Sequence, residues 1–459
     1  MNIKKYKTSE ERIIQSSENS DALKLYIETY GCQMNVSDSE VVNSIMLDNG
    51  FALTDKVETA DVIFINTCAV RDNAEQRIRN RLQALNALKK KRKGLIIGVL
   101  GCMAERLKEQ LVQEEKMVDI VAGPDSYRTL PQLVKQVETG QKAVNVLLSR
   151  EETYAEISPV RKDANNVTAF VSITRGCDNM CTYCVVPFTR GRERSRNPES
   201  ILREVKEVIS EGYKEVTLLG QNVDKYNWNN GEVNFAHLLK MTAEINPSVR
   251  VRFSTSYPQD FTDEVIKIMA AYNNICKYIH LPVQSGSNSM LEKMKRGYTR
   301  ELYLNRIQAI RNYIPDCAIS TDMISGFCGE TEQDHKDTLA LMEEVGYDFA
   351  YMFKYSERPN TFAARNFEDD IDEETKKRRL NEIITLQQKL SLRSNKKDVG
   401  KVFEVLVEGF SKKSEERLFG RNSQNKVIVF DKEDAKTGDY VNVKVNSCTS
   451  ATLLGEILK

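Results

Sequence analysis

Three cysteines, Cys177, Cys181 and Cys184, lie within one stretch of eight residues, directly after a predicted strand at 169–174. Three thiolates at this spacing can surround a single inorganic centre. A closed structural zinc site needs four ligands, and no further Cys or His is near in sequence. Three cysteines on a cubic iron–sulfur cluster leave one iron open to a non-protein ligand. The motif favours such a cluster; the alternatives are a zinc knuckle that borrows a distant cysteine, or three unrelated thiols.

The composition is that of a globular cytoplasmic protein that uses its thiols for chemistry. No apolar run approaches the roughly 20 residues of a membrane helix, and residues 1–21 lack the apolar segment of a signal peptide. Ten cysteines in the reducing cytosol indicate metal binding or catalysis more than a disulfide scaffold. Only three histidines are present, so a mixed Cys/His zinc finger is poorly supported. Basic and acidic residues balance at 66 each, which excludes a polycation but allows local basic patches.

The length of 459 residues predicts two or three domains. In residues 22–148, strands alternate with helices, which predicts a parallel α/β domain. In residues 163–395, six strand–helix units predict a partial (β/α)6 barrel, since a full barrel of this type has eight. In residues 396–459, five short β runs predict a small antiparallel β-barrel of the kind that binds oligonucleotides.

A second set of three cysteines is spread over the predicted α/β domain. Cys32, Cys68 and Cys102 are 36 and 34 residues apart. Each stands at or just beyond the carboxyl end of a predicted strand, and in a parallel sheet these ends share one edge, where ligands bind. The three thiols can therefore converge. The alternative is that they are ordinary small apolar side chains of the core.

The motif after the first barrel strand resembles that of the radical S-adenosylmethionine (SAM) enzymes. Residues 174–196 (TRGCDNMCTYCVVPFTRGRERSR), with 219–223, 254–258, 280–287 and 321–332, are similar to the methylthiotransferase branch. Residues 29–40 (TYGCQMNVSDSE), 66–77 and 101–105 resemble the MiaB family within it, the tRNA-2-methylthio-N6-dimethylallyladenosine synthases. The last β-barrel is similar to that family's TRAM domain. The resemblance covers nearly all of residues 22–459.

The resemblance implies a function. The chain would convert N6-dimethylallyladenosine, next to the tRNA anticodon, to its 2-methylthio derivative, with one SAM as methyl donor and another as 5′-deoxyadenosyl radical source. The target C–H bond is unactivated, so cofactor chemistry is required and no catalytic side chain beyond the cluster ligands is expected. Two [4Fe–4S] clusters are implied: one for the radical on Cys177, Cys181 and Cys184, and one for sulfur on Cys32, Cys68 and Cys102.

The resemblance also implies partners and leaves alternatives. A low-potential electron donor of the flavodoxin or ferredoxin type is expected, and no membrane. The substrate could instead be a differently modified tRNA or a ribosomal protein. An alternative of another class is a non-catalytic iron–sulfur protein that binds RNA, for which a three-ligand cluster would be an odd choice.

Candidate SAM contacts follow the barrel strands. By family position they are polar or small residues at the predicted strand ends: Gly220, Gln221, Asn222, Ser256, Gln284 and Asp322. A glycine there lets the backbone approach a ligand closely. The alternative is that these residues only cap strand ends and turns.

Candidate RNA contacts follow the cysteine motif. Arg190, Arg192, Arg194 and Arg196 lie beside Phe188 in one short segment. Arginines can contact phosphate and stack on unpaired bases. The alternative is a solvated basic loop.

Three positions depart from the family pattern. Ser325 and Cys328 stand where valine and proline are expected, and Asn360 stands where glycine is usual. The departures raise a question about local loop geometry, not about the cluster chemistry. Cys328 is expected to be a bystander thiol.

Overall fold

The computed structural model describes residues 8–17, 19–69, 72–162, 167–412 and 414–458. They fall into two compact units. The first contains the described residues of Met1–Ala164 with Thr174–Asp178 and Val185–Ser200, and the second those of Asn165–Ile173, Asn179–Cys184 and Ile201–Lys459. Within the described ranges, no helix is both long enough and apolar enough to cross a membrane.

The first unit contains a six-stranded parallel sheet with strand order β2-β1-β3-β4-β5-β6. Its strands are β1 (Lys24–Thr29), β2 (Ala52–Leu53), β3 (Val62–Thr67), β4 (Ile96–Gly101), β5 (Ile120–Ala122) and β6 (Ala143–Asn145). Its helices are α1 (Ser9–Ser17), α2 (Gln33–Asp48), α3 (Asp72–Lys91), α4 (Cys102–Leu107), α5 (Glu109–Glu114) and α6 (Leu130–Glu138). Every residue of β3 and β4 is buried, as expected of central strands covered by helices on both faces. The predicted parallel α/β fold is confirmed.

Ser37 and Ser39 are favoured N-cap residue types, and the sequence therefore predicts that a helix starts in this segment. The helix begins instead at Gln33, with Cys32 as an N-cap that makes no side-chain capping hydrogen bond. Ser37 and Ser39 are buried within the helix, and the Ser39 hydroxyl is hydrogen-bonded to Thr29 and to the Asn66 amide.

Strand β7 (Thr168–Ser172) belongs to the second unit, and the chain then returns to the first. There it forms β8 (Thr174–Arg175), α7 (Val186–Arg190) and β9 (Arg194–Ser195), with β8 and β9 paired antiparallel. This segment carries Cys177 and the four candidate RNA-binding arginines.

The second unit contains two three-stranded parallel sheets, ordered β13-β10-β7 and β14-β15-β16. A parallel bridge between Val251 and Ile275 links them. The remaining strands are β10 (Glu215–Leu219), β11 (Asn227–Trp228), β12 (Val233–Asn234), β13 (Arg250–Ser254), β14 (Tyr278–His280), β15 (Ala318–Ser325) and β16 (Phe349–Lys354). β11 and β12 form a small hairpin beside the barrel. The predicted six-stranded partial barrel is confirmed.

Helices connect the barrel strands. They are α8 (Pro198–Ser210), α9 (Phe235–Ile245), α10 (Asp263–Ala271), α11 (Asn288–Lys293), α12 (Arg300–Tyr313), α13 (Glu332–Val345), α14 (Phe362–Asn366) and α15 (Glu373–Lys396). Threonine caps fix several starts: the Thr262, Thr299 and Thr331 side chains each accept a backbone N–H of the first turn. At α13, the Asp334 carboxylate also accepts a hydrogen bond from the Thr331 N–H, which completes a capping box. Short 3₁₀ turns lie at Val57–Thr59, Tyr127–Thr129, Val223–Lys225 and Asn229–Gly231.

Residues after α15 form a closed barrel with order β17-β18-β19-β21-β20. The strands are β17 (Val402–Ser411), β18 (Ser414–Arg421), β19 (Val427–Asp431), β20 (Tyr440–Cys448) and β21 (Leu453–Ile457). A small apolar core, including Val405, Leu418 and Phe430, fills it. The predicted five-stranded barrel is confirmed, with one difference: β19 and β21 pair parallel, and the other pairs are antiparallel.

The small barrel is attached at the amino ends of the partial-barrel strands. Glu215, the first residue of β10, pairs with Arg252 at 2.6 Å and with Arg421 of the small barrel at 3.2 Å. Arg252 also donates to the Asn422 carbonyl, and the Lys277 N–H donates to the Ser423 hydroxyl. Burial raises the pKa of Glu215, but the two guanidinium groups lower it below its usual value. The loop between β18 and β19 thus closes the amino end of the partial barrel.

Candidate iron–sulfur and cofactor sites

Cys32, Cys68 and Cys102 lie at the carboxyl ends of the adjacent strands β1, β3 and β4. In the strand register, Thr29 pairs with Asn66 and Thr67 pairs with Gly101, so the three cysteines follow neighbouring strand ends. Burial raises the pKa of Cys102 to about 11, with Arg190 opposing the rise and the Cys68 and Cys32 thiols contributing to it. The three sulfur atoms are therefore near enough to interact electrostatically. Cys68 and Cys102 are buried, and Cys32 is exposed.

Two asparagines that the sequence reasoning missed hold these loops together. The Asn35 amide donates to Asn66 Oδ1 at 3.1 Å and to the Thr67 carbonyl at 2.9 Å, and Asn66 donates back to the Asn35 carbonyl. The Cys32 thiol donates to Asn35 Oδ1 at 3.2 Å. A Cβ on Gly31 would lie 2.8 Å from the Cys68 Cβ, so only glycine permits this approach. The sequence does carry a signal for Asn66, which is a polar residue directly after four apolar residues of β3.

Arg190 places a buried cation beside the same thiols. Its Nη2 lies 2.9 Å from Asp38 Oδ2. Burial lowers the pKa of Arg190, but Asp38, Cys102 and Cys32 raise it well above its usual value. Its Nη1 is buried and, among the described residues, has no hydrogen-bond partner. A fixed positive charge with an unsatisfied N–H donor next to three thiols fits an anionic, sulfur-rich group at this edge of the sheet.

Arg190 is one of three buried arginines that share two buried aspartates. Arg175 lies 2.8 Å from Asp38 Oδ1, and Arg194 lies 2.9 Å from Asp125 Oδ1. Burial raises the pKa of Asp38, whereas Arg175 and Arg190 lower it below its usual value. Three guanidinium groups against two carboxylates leave an excess of positive charge in this cluster.

The predicted RNA contacts are therefore withdrawn at three positions. Arg190, Arg194 and Arg196 are buried, and their guanidinium groups bond to Asp38, Asp125 and Ser200 respectively, so a phosphate cannot reach them. Asp38 and Asp125 lie far from these arginines in sequence, so the basic segment by itself gives no sign of the ion pairs. The Arg192 side chain is 61% exposed, and the RNA contact stays a prediction there.

The C-x3-C-x2-C loop is held by backbone hydrogen bonds. In the first unit, the Cys177 N–H donates to the Gly191 carbonyl at 3.2 Å. In the second unit, the Cys184 N–H donates to the Cys181 carbonyl at 3.0 Å, which closes a tight turn. Also in the second unit, the Thr182 N–H donates to the Met294 carbonyl, and the Thr182 carbonyl accepts the Ala363 N–H.

Arg296 lies beside this turn, and the sequence reasoning missed it. It is 4% exposed, and its Nη1 lies 3.2 Å from the Cys181 Sγ. The residue is in a short loop between α11 and α12, more than 100 residues after the motif. The sequence carries no signal that links the two.

Five of the six candidate SAM contacts follow the carboxyl ends of barrel strands, and the sixth, Asp322, lies within β15. The Gly220 N–H donates to the Ser254 carbonyl. Asn222 donates to Asp260 Oδ2 at 2.7 Å, and Ser256 donates to Asp224 Oδ1 at 3.3 Å. Desolvation raises the pKa of Asp224 well above its usual value, and Asp260 adds to the rise. Gln221 follows Gly220 and is partly buried.

The other two candidates lie on the second sheet. Gln284 has a φ of +77°, and its N–H donates to the Asp322 carbonyl at 3.0 Å. The Asp322 carboxylate lies 3.5 Å from His280 Nε2. His280 bonds in turn to the Ser320 hydroxyl at 2.8 Å. The six candidates thus form two polar groups, one on each sheet, and Asp224 and His280 are additions that the strand-end pattern alone did not single out.

The family departures are accommodated locally. Asn360 has a φ of +71°, which explains why glycine is usual there and why asparagine is a tolerated replacement. Ser325 is buried and donates to the Phe353 carbonyl at 3.4 Å. Cys328 packs in an apolar cluster with Phe327 and Tyr355.

Within the described residues, no group of three or more His, Cys, Asp or Glu side chains is arranged to hold a single metal ion. A zinc ion binds each thiolate at about 2.3 Å, so its ligand sulfurs must crowd together. In a four-iron cluster, each thiolate binds a separate iron, and the sulfurs stand farther apart. The donor set of three thiols fits a [4Fe–4S] cluster, whose fourth iron takes a non-protein ligand.

Fold and motif first define a class. The Radical SAM superfamily model matches residues 171–342, so the barrel is that of a radical SAM enzyme, a class that uses a [4Fe–4S] cluster and SAM. The model described as Uncharacterized protein family UPF0004 matches residues 24–123, and the TRAM domain model matches residues 396–458.

Relatives then define the family. A tRNA-2-methylthio-N(6)-dimethylallyladenosine synthase of Amoebophilus asiaticus is 60% identical, over 94% of this chain and 92% of that protein. Proteins of the same name from Christiangramia forsetii and Bacteroides thetaiotaomicron are 58% and 56% identical, over 94% and 96% of this chain and 93% and 98% of theirs. The chain belongs to this family of tRNA methylthiotransferases, and the predicted resemblance is confirmed.

Solved structures of low identity share the fold. TsrM from Kitasatospora setae, a radical SAM methyltransferase solved with cobalamin and a [4Fe-4S] cluster, has a TM-score of 0.57 and 13% identity, over 75% of this chain and 77% of that chain. OxsB, a cobalamin-dependent SAM radical enzyme, has a TM-score of 0.55 and 13% identity, over 81% of this chain and 57% of that chain. At such identities the likeness concerns the fold alone.

Proposed function

We propose that this enzyme converts N6-dimethylallyladenosine, at the position next to the tRNA anticodon, to its 2-methylthio derivative. The observation that carries the proposal is 60% identity over 94% of the chain to a synthase named for that product. Both cysteine sets of the family are present, which favours a catalyst over a non-catalytic iron–sulfur protein. One SAM would serve as methyl donor and a second as radical source.

Cys177, Cys181 and Cys184 would hold the [4Fe–4S] cluster that binds SAM at its open iron. When bound, this group supplies the electron that cleaves SAM to methionine and a 5′-deoxyadenosyl radical. The chain's own contribution is to fix the thiols: the Cys181–Cys184 turn and the Thr182 backbone bonds set their spacing. Arg296 supports the assignment, because a buried guanidinium 3.2 Å from the Cys181 sulfur favours an anionic partner.

Cys32, Cys68 and Cys102 would hold a second [4Fe–4S] cluster that carries the sulfur to be transferred. The buried Nη1 of Arg190 has no partner among the described residues and offers a donor to sulfur there. Asn35 and Asn66 keep the cysteine loops in register through their amide hydrogen bonds. Without the cluster, burial favours the neutral Cys102 thiol, so cluster assembly must release its proton.

Gly220, Gln221, Asn222, Ser256, Gln284 and Asp322 would line the SAM site at the strand ends. Their backbone and amide groups suit the carboxylate and ribose of SAM, and the partly buried Asp224 and Asp260 suit its ammonium group. Residues 22–148 would form the sulfur-carrying domain, 163–395 the radical SAM core and 396–459 the TRAM domain. The TRAM domain and the exposed Arg192 would bind tRNA. A flavodoxin or ferredoxin type of protein would deliver electrons, in the cytoplasm.

The test is the modified-nucleoside profile of tRNA from cells that lack their own enzyme and express this chain. We expect 2-methylthio-N6-dimethylallyladenosine to appear, and the Cys177→Ala variant to leave N6-dimethylallyladenosine unconverted. A methylthio group on a different nucleoside, or on a ribosomal protein, would assign another substrate. No methylthio product from loaded protein would favour the non-catalytic reading.

A further inference from the structure

Arg296 is buried in a cage of aromatic and carbonyl groups. Its Nε donates to the Tyr298 hydroxyl at 3.0 Å, and its Nη2 donates to the Pro282 carbonyl at 2.8 Å. Its Cζ is 4.5 Å from the Tyr257 ring centroid and 5.4 Å from that of Tyr298. These contacts fix the plane of the guanidinium group and desolvate its charge.

The remaining nitrogen, Nη1, faces the cysteine turn. It lies 3.2 Å from the Cys181 Sγ and 3.2 Å from the Tyr183 hydroxyl. The guanidinium is held from behind by Tyr298 and Pro282, so this N–H vector is set by the protein and does not depend on a flexible side chain. A donor at this distance from a thiolate forms a charge-assisted hydrogen bond.

Among the described residues, Arg296 lacks the carboxylate partner that the buried Arg252 and Arg379 have. Arg252 pairs with Glu215 at 2.6 Å, and Arg379 pairs with Glu330 at 2.8 Å. In the part of the chain that the structure describes, no carboxylate lies within ion-pair distance of Arg296. An isolated buried cation is strongly unfavourable, so the molecule needs an anion at the sulfur side of the cage.

We propose that Arg296 is a positioning residue that raises the reduction potential of the SAM-binding cluster through its charge and its N–H bond to the Cys181 sulfur. The inference rests on the proposed function, because it needs the cluster on Cys177, Cys181 and Cys184. One-electron reduction adds a negative charge to that group. A fixed cation at its edge, in surroundings of low dielectric, stabilises the more negative state. Hydrogen bonds to ligand sulfurs act in the same direction.

The test is a redox titration of the full-length, anaerobically reconstituted protein, followed by electron paramagnetic resonance. Cys32, Cys68 and Cys102 are replaced by alanine in the parent so that a single cluster contributes the signal. Arg296→Gln removes the charge and keeps a hydrogen-bonding side chain. Arg306→Gln, which breaks the exposed pair with Asp263, is the matched control for loss of an arginine.

We expect Arg296→Gln, at the parent's iron content, to lower the potential by at least the ~59 mV that corresponds to a tenfold change in a one-electron equilibrium. Arg306→Gln should leave the potential unchanged. Arg296→Lys keeps the charge and loses the planar fork, so its potential should fall between those of the parent and Arg296→Gln. If Arg296→Gln does not load iron, the reduction potential of Arg296→Lys tests the proposal instead, and we expect it to fall by less than about 59 mV.

An unchanged potential in a fully loaded Arg296 variant overturns the proposal and leaves Arg296 a packing role only. Failure of the proposed function would look different. In that case the parent itself binds no iron at Cys177, Cys181 and Cys184, whatever residue stands at position 296. Iron content of the parent therefore tests the cluster, and the potentials of the loaded variants test Arg296.

Discussion

The guanidinium of Arg190 lies 2.9 Å from the Asp38 carboxylate, although 152 residues separate them in sequence. This pair ties the segment after the cysteine motif to the helix that follows Cys32. Asp38 is completely buried, so its remaining partners would have to carry the charge alone if Arg190 were lost.

Arg190→Gln should therefore destabilise the chain by about 3 kcal/mol, because a buried carboxylate loses one of its two cations. Arg192→Gln in the same segment, with an exposed side chain, should change stability by no more than about 0.5 kcal/mol. Thermal melting of both variants, in one buffer, checks the difference. Equal melting temperatures would mean that the Arg190 pair contributes nothing to stability.

Glu105 should make stability depend on pH. Burial raises its pKa from the ordinary 4.5 to about 7, with Asp125 adding to the rise and Lys108 opposing it. Its Oε2 is buried with no hydrogen-bond partner among the described residues. Between pH 4.5 and about 7 the folded chain keeps a proton that the unfolded chain has lost, so stability falls as pH rises through this window. The total loss is at most about 3 kcal/mol.

Glu105→Gln should remove that fall, so the variant gains stability relative to the parent as the pH rises to about 7 and then holds its advantage. Melting temperatures at several pH values between 5 and 8 (about 0.5 apart) measure this. Glu138→Gln, at an exposed position on α6, is the control and should follow the parent. Parallel curves for parent and Glu105→Gln would contradict the prediction.

The ion pair between Arg421 and Glu215 should stabilise the fold more than an exposed ion pair on the same strand does. Arg421→Gln removes one of two cations from a buried carboxylate, and we expect a loss of about 2 kcal/mol. Arg417→Gln breaks the exposed pair with Asp431 and should cost less than about 1 kcal/mol. Thermal melting compares the two. Deletion of the small barrel is a poor alternative, because it strips partners from Glu215 and Arg252 together.

The two cysteine sets should separate in assays of the loaded enzyme. Cys177→Ala should abolish formation of 5′-deoxyadenosine from SAM, because the proposed radical-generating cluster would lose a ligand. Cys32→Ala should leave this cleavage in place and abolish the methylthio product. Chromatography with mass spectrometry measures both products, and the parent should bind about eight irons as two [4Fe–4S] clusters. Equal loss of SAM cleavage in both folded variants would contradict the division of labour.

Arg192→Gln should weaken tRNA binding and flatten its salt dependence. Loss of one phosphate contact lowers the slope of log affinity against log salt by about one. Titrations at two salt concentrations measure the slope, and Arg417→Gln, which also removes an exposed arginine, is the control for charge. An unchanged slope for Arg192→Gln would assign the RNA contacts to other surfaces.

The sequence predicted those features that depend on residues adjacent in the chain, and it missed those that depend on tertiary packing. The strands Lys24–Thr29 and Glu215–Leu219 belong to the strand–helix alternation that the sequence predicted, because their apolar pattern and flanking residues are adjacent in the chain. The convergence of Cys32, Cys68 and Cys102 followed from a general rule on strand ends. The roles of Arg190 and Arg296 did not, because their partners, Asp38 and Cys181, become neighbours only through tertiary packing.

The closure of the partial barrel by the loop after β18 has a consequence for synthesis. Arg421 is made 206 residues after Glu215, its partner at the amino end of β10. At 5–20 residues per second, the ribosome needs on the order of 10–40 s to cover that distance. During this interval the nascent barrel has its strands but lacks the loop that covers Glu215 and Arg252. Chains that stall in this interval would present an uncovered barrel end, and this is the stage at which a chaperone would be most useful.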